Sequence, residues 1–404
     1  MKSFTLLKNK PFLLIWISEI FGVLGFSMFL ITLSWYVVDQ LHLSQNLGLV
    51  FAVSSVPRLF TMALGGVLAD KVQKSQIMFV SGMVQTALLG ILLFLFINGS
   101  LTFTSILIIS FCSGFTDGIF YPALSSSIPN LVKKAELQSA NTLIHSTQEF
   151  VFLIGPVIAG MLISYYSYAA TFGVGMIAMF IHAITVHPAI IQDPKPNHSD
   201  KGIHFINEFR EGLHYVFESP IYKTGISIVI VVNLFVFGPI LLSFPIITKE
   251  LSGTALQLSF LESGFSIGSL IATLFLLFVA LQKKRGKWIF FFLFSSLLCL
   301  LIFSQVESLY ILIFMGSLIA FSAFMVFLPT DVIIQERTDP AKMGRVMGIV
   351  FLSQTAFDPI SQSIISFLMT AGYSIRTILS FSAVIGLLVS FLILFRAKAW
   401  RSLQ

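Results

Sequence analysis

The sequence predicts an all-α membrane protein of twelve transmembrane helices, arranged as two pseudo-symmetric six-helix bundles. Three observations carry that expectation: the composition, the number of apolar runs, and the side of each run on which the bases fall. Of 404 residues, 56% are hydrophobic and only 10% charged, and the mean hydropathy is +0.93. That leaves too little polar surface to cover a soluble globule, so the chain needs lipid as its solvent. The net charge of +6 does not point to nucleic acid, because the bases lie between apolar runs rather than in a patch with aromatics. Cys112 and Cys299 both fall inside apolar runs, so neither a disulfide framework nor a cysteine metal site is expected. The first apolar run follows Lys8 and Lys10, is longer than a signal-peptide core and has many successors, so no cleaved targeting segment is expected.

Cut into lengths that cross a bilayer, the apolar runs fall at roughly 12–38, 47–69, 76–97, 102–125, 138–164, 168–190, 222–247, 255–281, 287–305, 308–333, 345–370 and 373–396. An even number places both termini on one side. Alternate connections hold Lys2, Lys8 and Lys10; Lys71 and Lys74; Lys133 and Lys134; Lys195, Lys201, Arg210 and Lys223; Lys283, Lys284, Arg285 and Lys287; Arg337, Lys342 and Arg345; and Arg396, Lys398 and Arg401. These are 21 of the 24 bases. Only Lys249 and Arg376 fall on the other side, and Arg58 lies within a span. The asymmetry places both termini in the cytoplasm of a multi-pass cell-membrane protein.

The longest polar interval separates six spans from six, giving an N-terminal bundle over 1–190, a linker over 191–221 and a C-terminal bundle over 222–404. Within the linker, Phe205, Phe209, Leu213 and Val216 recur at helical spacing with Glu208, Arg210 and Glu211 between them, which predicts an amphipathic interfacial helix tethering the halves. The halves read as copies. Gln40-Leu41 and Glu250-Leu251 share one offset with Asp70 and Ala280 and with Lys74 and Lys284; Pro122 with Pro329 and Gly155-Pro156 with Asp358-Pro359 follow after a short gap. Internal repetition of this kind belongs to transporters whose substrate lies between two bundles near the midplane.

The stretch Gly66-Val67-Leu68-Ala69-Asp70-Lys71-Val72-Gln73-Lys74 is a polar turn between two apolar runs. Gly66 lets a helix end lie close to a neighbour, Asp70 follows one turn later, and Lys71 and Lys74 mark the water side. The segment resembles the loop between helices two and three of the major facilitator superfamily, with Gln73 where a glycine is expected and Ser75 where a second base is expected. Gly155-Pro156-Val157-Ile158-Ala159-Gly160 is similar to the Gly-Pro-x-x-Gly-Gly signature of that superfamily's antiporters; by itself it reads equally as a kinked, closely packed helix. Asn9-x-x-Phe12-x-x-x-Trp16, Ala140-Asn141, Glu208 to Pro220, Gln335-Glu336-Arg337 and Gly344-Arg345-Val346 extend the resemblance to the branch containing macrolide-efflux and enterobactin-exporter proteins. The resemblance implies proton-driven export of a bulky amphipathic molecule: a drug, a macrolide-like antibiotic or a siderophore. It also implies a conformational latch of Gly66, Asp70, Lys71, Lys74 and Arg345, with Asp70 held at the positive end of span eleven.

Ionisable groups within spans are the candidates for coupling, because an unpaired charge there is costly. They are Glu19, Asp117, Glu149 and Asp358. Arg58 needs a carboxylate, and Glu19 is nearest in estimated depth; the pair reads as structural or as coupling, and a water-lined Arg58 without an acid stays open. Asp117 shares a helical strip with Ser110, Gly114 and Tyr121. His145 and Glu149, four apart, read as an interhelical hydrogen bond or a proton relay.

If the superfamily fold holds, spans one, four, seven and ten line the cavity. They offer Phe26, Phe29, Phe115 and Tyr121 from the first half. From the second come Asn233, Phe237, Phe321, Phe324 and Met325. Such a lining suits a large, partly apolar ligand. No metal helix, phosphate loop or nucleophile elbow is present, so neither an enzyme nor a cofactor is expected. The expected partners are a small-molecule substrate, protons and the bilayer, with the chain as a monomer. A proton-coupled importer and a non-transporting sensor are the alternatives.

Overall fold

A backbone in lipid can hydrogen-bond only to its own chain, so each apolar run has to coil. In the computed structural model the described residues are 6–133, 136–191, 193, 213–278, 284–339, 342–397 and 400, with backbone alone described at 63, 66, 67, 70, 138, 344 and 345. Every element among them is helical. The chain forms two compact units, one of residues 1–199 and 253–263, the other of 200–252 and 264–404.

The first unit holds α1 (Lys10–Asp39), α2 (Leu47–Lys71), α3 (Lys74–Ile97), α4 (Phe103–Leu131), α5 (Leu137–Tyr165) and α6 (Tyr168–Thr185). The opening Asn9-x-x-Phe12-x-x-x-Trp16 pattern has a physical basis here. Asn9 caps α1, its Oδ1 accepting from the Phe12 amide, while its Nδ2 donates to the Leu131 carbonyl at the end of α4, 2.6 Å away. Phe12 is fully buried against Ile128, Ala140 and Ile144, and Trp16 Nε1 donates to Thr147 Oγ1 on α5 at 2.8 Å. Three residues thus fix α1 to α4 and α5.

The turn between α2 and α3 is only Val72 and Gln73, since α2 runs on through Asp70 to Lys71. Gln73 and Ser75, the two departures from the superfamily pattern, share one partner. Asp193, beyond the sixth span, accepts from Gln73 Nε2 at 3.0 Å and the Ser75 amide at 3.2 Å, and the Ser75 hydroxyl donates to it as well. A carboxylate distant in sequence therefore caps the first turn of α3. Lys74 Nζ donates to the Ser126 carbonyl of α4 at 2.6 Å.

The second unit holds α7 (Pro220–Val232), which passes through a π-helical turn at Asn233–Phe237 into α8 (Gly238–Glu250), then the greater part of α9 (Ala255–Phe278), α10 (Arg285–Phe303), α11 (Leu309–Arg337), α12 (Met343–Thr355), α13 (Phe357–Thr370) and α14 (Ile375–Arg396). The helix breaks at Ala356, between α12 and α13, one residue before the Phe357-Asp358-Pro359 turn. Ten helices among the described residues, with α7 and α8 counted as one, are long and apolar enough to cross a membrane. With α2 and the interrupted α12–α13 they are consistent with the twelve that the sequence predicts.

Phe205, Phe209, Glu208, Arg210 and Glu211 of the expected amphipathic helix lie outside the described residues. Residues 213–218 are helical, and Leu213 and Val216 pack with Tyr222, Ile334, Val346 and Ile349. Arg285 grips Glu336 through both carboxylate oxygens at 2.9 and 2.8 Å, tying the third helix of this half to its fourth as Lys74 does in the first. Arg376, a base on the sparsely basic side, is held by Glu250 at 3.4 Å and by the Val306 carbonyl at 2.6 Å. A structural tie accounts for its exception to the charge asymmetry.

Glycines set the closest helix contacts. A Cβ on Gly114 would strike the Ser54 carbonyl and one on Gly118 would strike Thr61 Oγ1 and the Arg58 carbonyl, so the Gly114-x-x-x-Gly118 face of α4 lies directly on the backbone of α2. In the second unit Gly264-x-x-x-Gly268 of α9 lies likewise on Ile313 and Ser317 of α11. The internal offset of the two halves, without a gap here, matches Gly264 with Ser54 and Gly268 with Arg58.

Candidate functional site

The glycine contact places Arg58 of α2 opposite Asp117 of α4. Arg58 Nε stands 2.9 Å from Asp117 Oδ2, with the side chains 41% and 24% exposed. Oδ2 is buried, yet no aligned hydrogen bond reaches it, so the pair is held by charge rather than by a directed N–H. The expected partnership with Glu19 is corrected. Glu19, 3% exposed, instead accepts at Oε2 from Gln148 Nε2 on α5 at 2.7 Å. Depth along a helix was a poor guide because the rotation of α2, fixed by Gly114 and Gly118, turns Arg58 to α4.

These groups open on one cavity of about 160 Å³ inside the first unit. Glu19, Gly22 and Phe26 come from α1, Ser81, Gly82 and Gln85 from α3, Asp117, Phe120 and Tyr121 from α4, Gln148 and Phe152 from α5, and Met179 and His182 from α6. Gln85 is fixed by donating to the Ser113 carbonyl at 2.9 Å and accepting from Ser113 Oγ at 3.0 Å. At ~30 Å³ per water the space holds about five waters, or one small group, far below the volume of a drug-sized ligand. The arrangement can exchange protons and stabilise a small charged or polar moiety beside aromatic walls.

Of the other predicted residues, His145 and Glu149 are both exposed, and no ion pair joins them among the described residues. Asp358 sits in the first turn of α13, its Oδ1 buried without a partner. Gly155 and Pro156 are buried within α5, which stays helical through them; Gly155 seats Ser27 of α1, and Gly160 seats Ser259 of the 253–263 segment. Lys71 is exposed, whereas the side-chain positions of Gly66, Asp70 and Arg345 lie outside what is described.

Among the cavity candidates, Phe26 and Tyr121 line the space just defined, and Phe115 is exposed. Phe29 and Met325 are buried, and Asn233, 2% exposed, donates to the Val229 carbonyl of its own helix at 3.0 Å. Phe237 stacks on Phe327 and meets Phe324 edge-on, while Phe321 packs on Phe275 and Phe292. No group of three His, Cys, Asp or Glu able to hold a metal occurs among the described residues.

Sequence reading missed Gln148, Gln85 and His182. Each is a polar residue on an apolar helix, and the available signal was its presence within a span.

The sequence profile of the Major Facilitator Superfamily matches residues 15–360. The chain belongs to the major facilitator superfamily. As a superfamily member it is a membrane transporter and not an enzyme. It is 24% identical over 280 residues to Macrolide efflux protein A of Streptococcus pyogenes, covering 68% of both chains. With Macrolide efflux protein A of Enterococcus faecalis it shares 24% over 305 residues, 70% of this chain and 88% of that one. It is 22% identical over 375 residues to Enterobactin exporter EntS of Escherichia coli O139:H28, covering 90% of this chain and 86% of that one. Solved superfamily folds agree: the POT family transporter PepTSo superposes with a TM-score of 0.75 at 12% identity over 98% and 99% of the two chains, and the nucleoside transporter NupG with 0.75 at 13% over 96% and 100%.

Proposed function

We propose that this transporter exports a bulky amphipathic small molecule, of macrolide or siderophore type, in exchange for protons. The observation that carries the proposal is the cavity of the first unit, where Glu19 and the loosely aligned Arg58–Asp117 pair face one small polar space. Relatives named for macrolide efflux and for enterobactin export support the direction and the ligand class. A protonatable group among Glu19, Asp117 and Glu149 releases its proton inward, which favours capture of substrate from the cytoplasmic side; its reprotonation when the cavity opens outward accompanies the departure of substrate. The cavity is too small for the body of such a ligand. The family resemblance assigns the body to spans one, four, seven and ten of the bundles 1–190 and 222–404, with the interval 191–221 as tether.

The charge asymmetry supports cytoplasmic termini in the cell membrane. In the same reading Asp70, with Gly66, Lys71, Lys74 and Arg345, latches the basic face shut, Gly155-Pro156-Gly160 serves the bending of α5, Glu149 and Asp358 are secondary candidates for the proton, and the monomer is the working unit.

The test uses inverted membrane vesicles energised acid inside, with erythromycin or enterobactin added while lumenal pH is followed. Proton release that depends on the compound in wild type and is lost in Glu19→Gln and Asp117→Asn is the expected result. Accumulation of either compound by intact cells, without proton release from vesicles, would overturn export.

A further inference from the structure

His182 enters the cavity wall on terms that the coupling groups alone do not require. It lies on α6, and its ring is inserted between two glycines. A Cβ on Gly22 of α1 would stand 2.5 Å from His182 Nδ1, and one on Gly82 of α3 would stand 3.0 Å from Cδ2. The missing side chains of α1 and α3 are the seat of the imidazole, and Phe120 of α4 covers it at 4.9 Å between ring centroids.

The tautomer follows from the partners. Ser18 Oγ lies 3.0 Å from the His182 carbonyl and can donate its hydrogen there. Nδ1 lies 2.8 Å from the Ser18 carbonyl oxygen and 2.8 Å from Ser18 Oγ. With the Ser18 hydrogen on the His182 carbonyl, Nδ1 donates to the Ser18 carbonyl, which can only accept, and Nε2 of the neutral ring keeps its lone pair. Nε2 has no hydrogen-bond partner among the described residues, and the His182 side chain lines the cavity. The groups facing it are Glu19 from α1, Arg58 from α2, and Asp117 and Tyr121 from α4, while α3 and α5 present only the non-titrating Ser81, Gln85 and Gln148. When Glu19 and Asp117 are both ionised, two carboxylates against one guanidinium leave a single negative charge, which a proton on Nε2 would balance.

We propose that His182 Nε2 is a proton-binding site of this cavity, exchanging its proton with Glu19 and Asp117. In that exchange an O–H bond of the carboxyl group breaks, its electron pair stays on the carboxylate, and an N–H bond forms at Nε2; return reverses each change. The water-sized cavity carries the proton between them where the side chains do not touch. The role rests on the proton-antiport reading; with Nδ1 tied to the Ser18 carbonyl, Nε2 is the ring nitrogen that both loads and unloads.

Two measurements decide it. In full-length wild-type protein in nanodiscs, diethyl pyrocarbonate, which at a histidine modifies only an unprotonated accessible ring nitrogen, is mapped by mass spectrometry at pH 5 to 8. Carbethoxylation of His182 at pH 8 that falls about tenfold per pH unit below its midpoint is expected; no modification, or modification independent of pH, overturns the proposal without reference to any transport result. The second uses His182→Asn, whose Nδ2 can keep the bond to the Ser18 carbonyl while Nε2 is lost. In inverted vesicles, proton release driven by erythromycin or enterobactin is expected to drop about tenfold or more with a flattened pH profile, at unchanged thermal stability. A wild-type pH profile in His182→Asn overturns the relay. Absence of release from wild type with every compound instead sinks the antiport reading, and the relay with it, while the labelling still reports whether Nε2 takes a proton.

Discussion

Arg58 Nε and Asp117 Oδ2 stand 2.9 Å apart without an aligned hydrogen bond, across a contact that two glycines make possible. Close charges without a directed N–H resist separation less than a bidentate pair, which suits a bond that opens and closes in each cycle. With side chains 41% and 24% exposed, solvent screens the pair. A double-mutant cycle of Arg58→Met and Asp117→Asn is expected to give a coupling of about 1 kcal/mol in thermal unfolding in detergent, rather than the ~3–5 kcal/mol lost when a sealed pair is broken. A coupling above about 3 kcal/mol would make the pair a structural rivet and unfit for release.

Gly114→Ala would drive a methyl group into the Ser54 carbonyl, and neither backbone can yield without displacing its helix. A loss of about 1–3 kcal/mol is expected. Gly175→Ala is the control: its Cβ meets nothing closer than 3.7 Å, and in a helix interior it should be neutral or stabilising by up to ~1 kcal/mol. Equal melting temperatures for the two variants would contradict the packing described for α2 and α4.

Asp193→Ala removes the cap of α3 and leaves the Ser75 amide and hydroxyl without their acceptor, while Gln73 keeps the backbone carbonyl of residue 193 at 2.9 Å. The expected cost is about 1–2 kcal/mol, concentrated in faster hydrogen exchange of the amides of residues 75–77, while Asp193→Asn keeps an acceptor oxygen and lies between. Unchanged exchange at Ser75 in Asp193→Ala would show that the cap contributes nothing.

Asp358 carries a buried oxygen with no partner among the described residues. Such a group is a burden unless function requires it. Asp358→Asn should therefore raise the melting temperature. If proton-linked export survives at the same time, Asp358 drops out of the coupling candidates; loss of export with the higher melting temperature places it among them.

The all-helical membrane fold was legible because it depends on a one-dimensional quantity, the lengths of apolar runs. Asn9, Phe12 and Trp16 were legible as a pattern, since a cap, a core phenylalanine and a hydrogen-bonding indole recur at fixed spacing on one helix. The site was legible only in its members. Glu19, Arg58 and Asp117 stood out as charges in apolar helices, but who meets whom depends on helix rotation, and that is set by Gly114 and Gly118 packing on a partner about 60 residues earlier. His182 was hidden because one histidine on an apolar helix says nothing of the two glycines, 22 and 82, that seat it. Asp193 was hidden for the opposite reason: among polar linker residues one more acid carries no signal.

The exchanged glycines have a consequence for the ancestry of the two halves. A duplicated chain begins with interchangeable parts, but here the same tight crossing is built from glycines on the fourth helix in one copy and on the second helix in the other. Grafting α9 in place of α2 would set glycine against glycine and open a groove; grafting α2 in place of α9 would set Ser54 and Arg58 against Ile313 and Ser317 with no room for either. Each pair has become a lock with its own key. The position matching Arg58 is Gly268, which has no side chain to carry a charge, so the two halves cannot place a cation at this crossing alike.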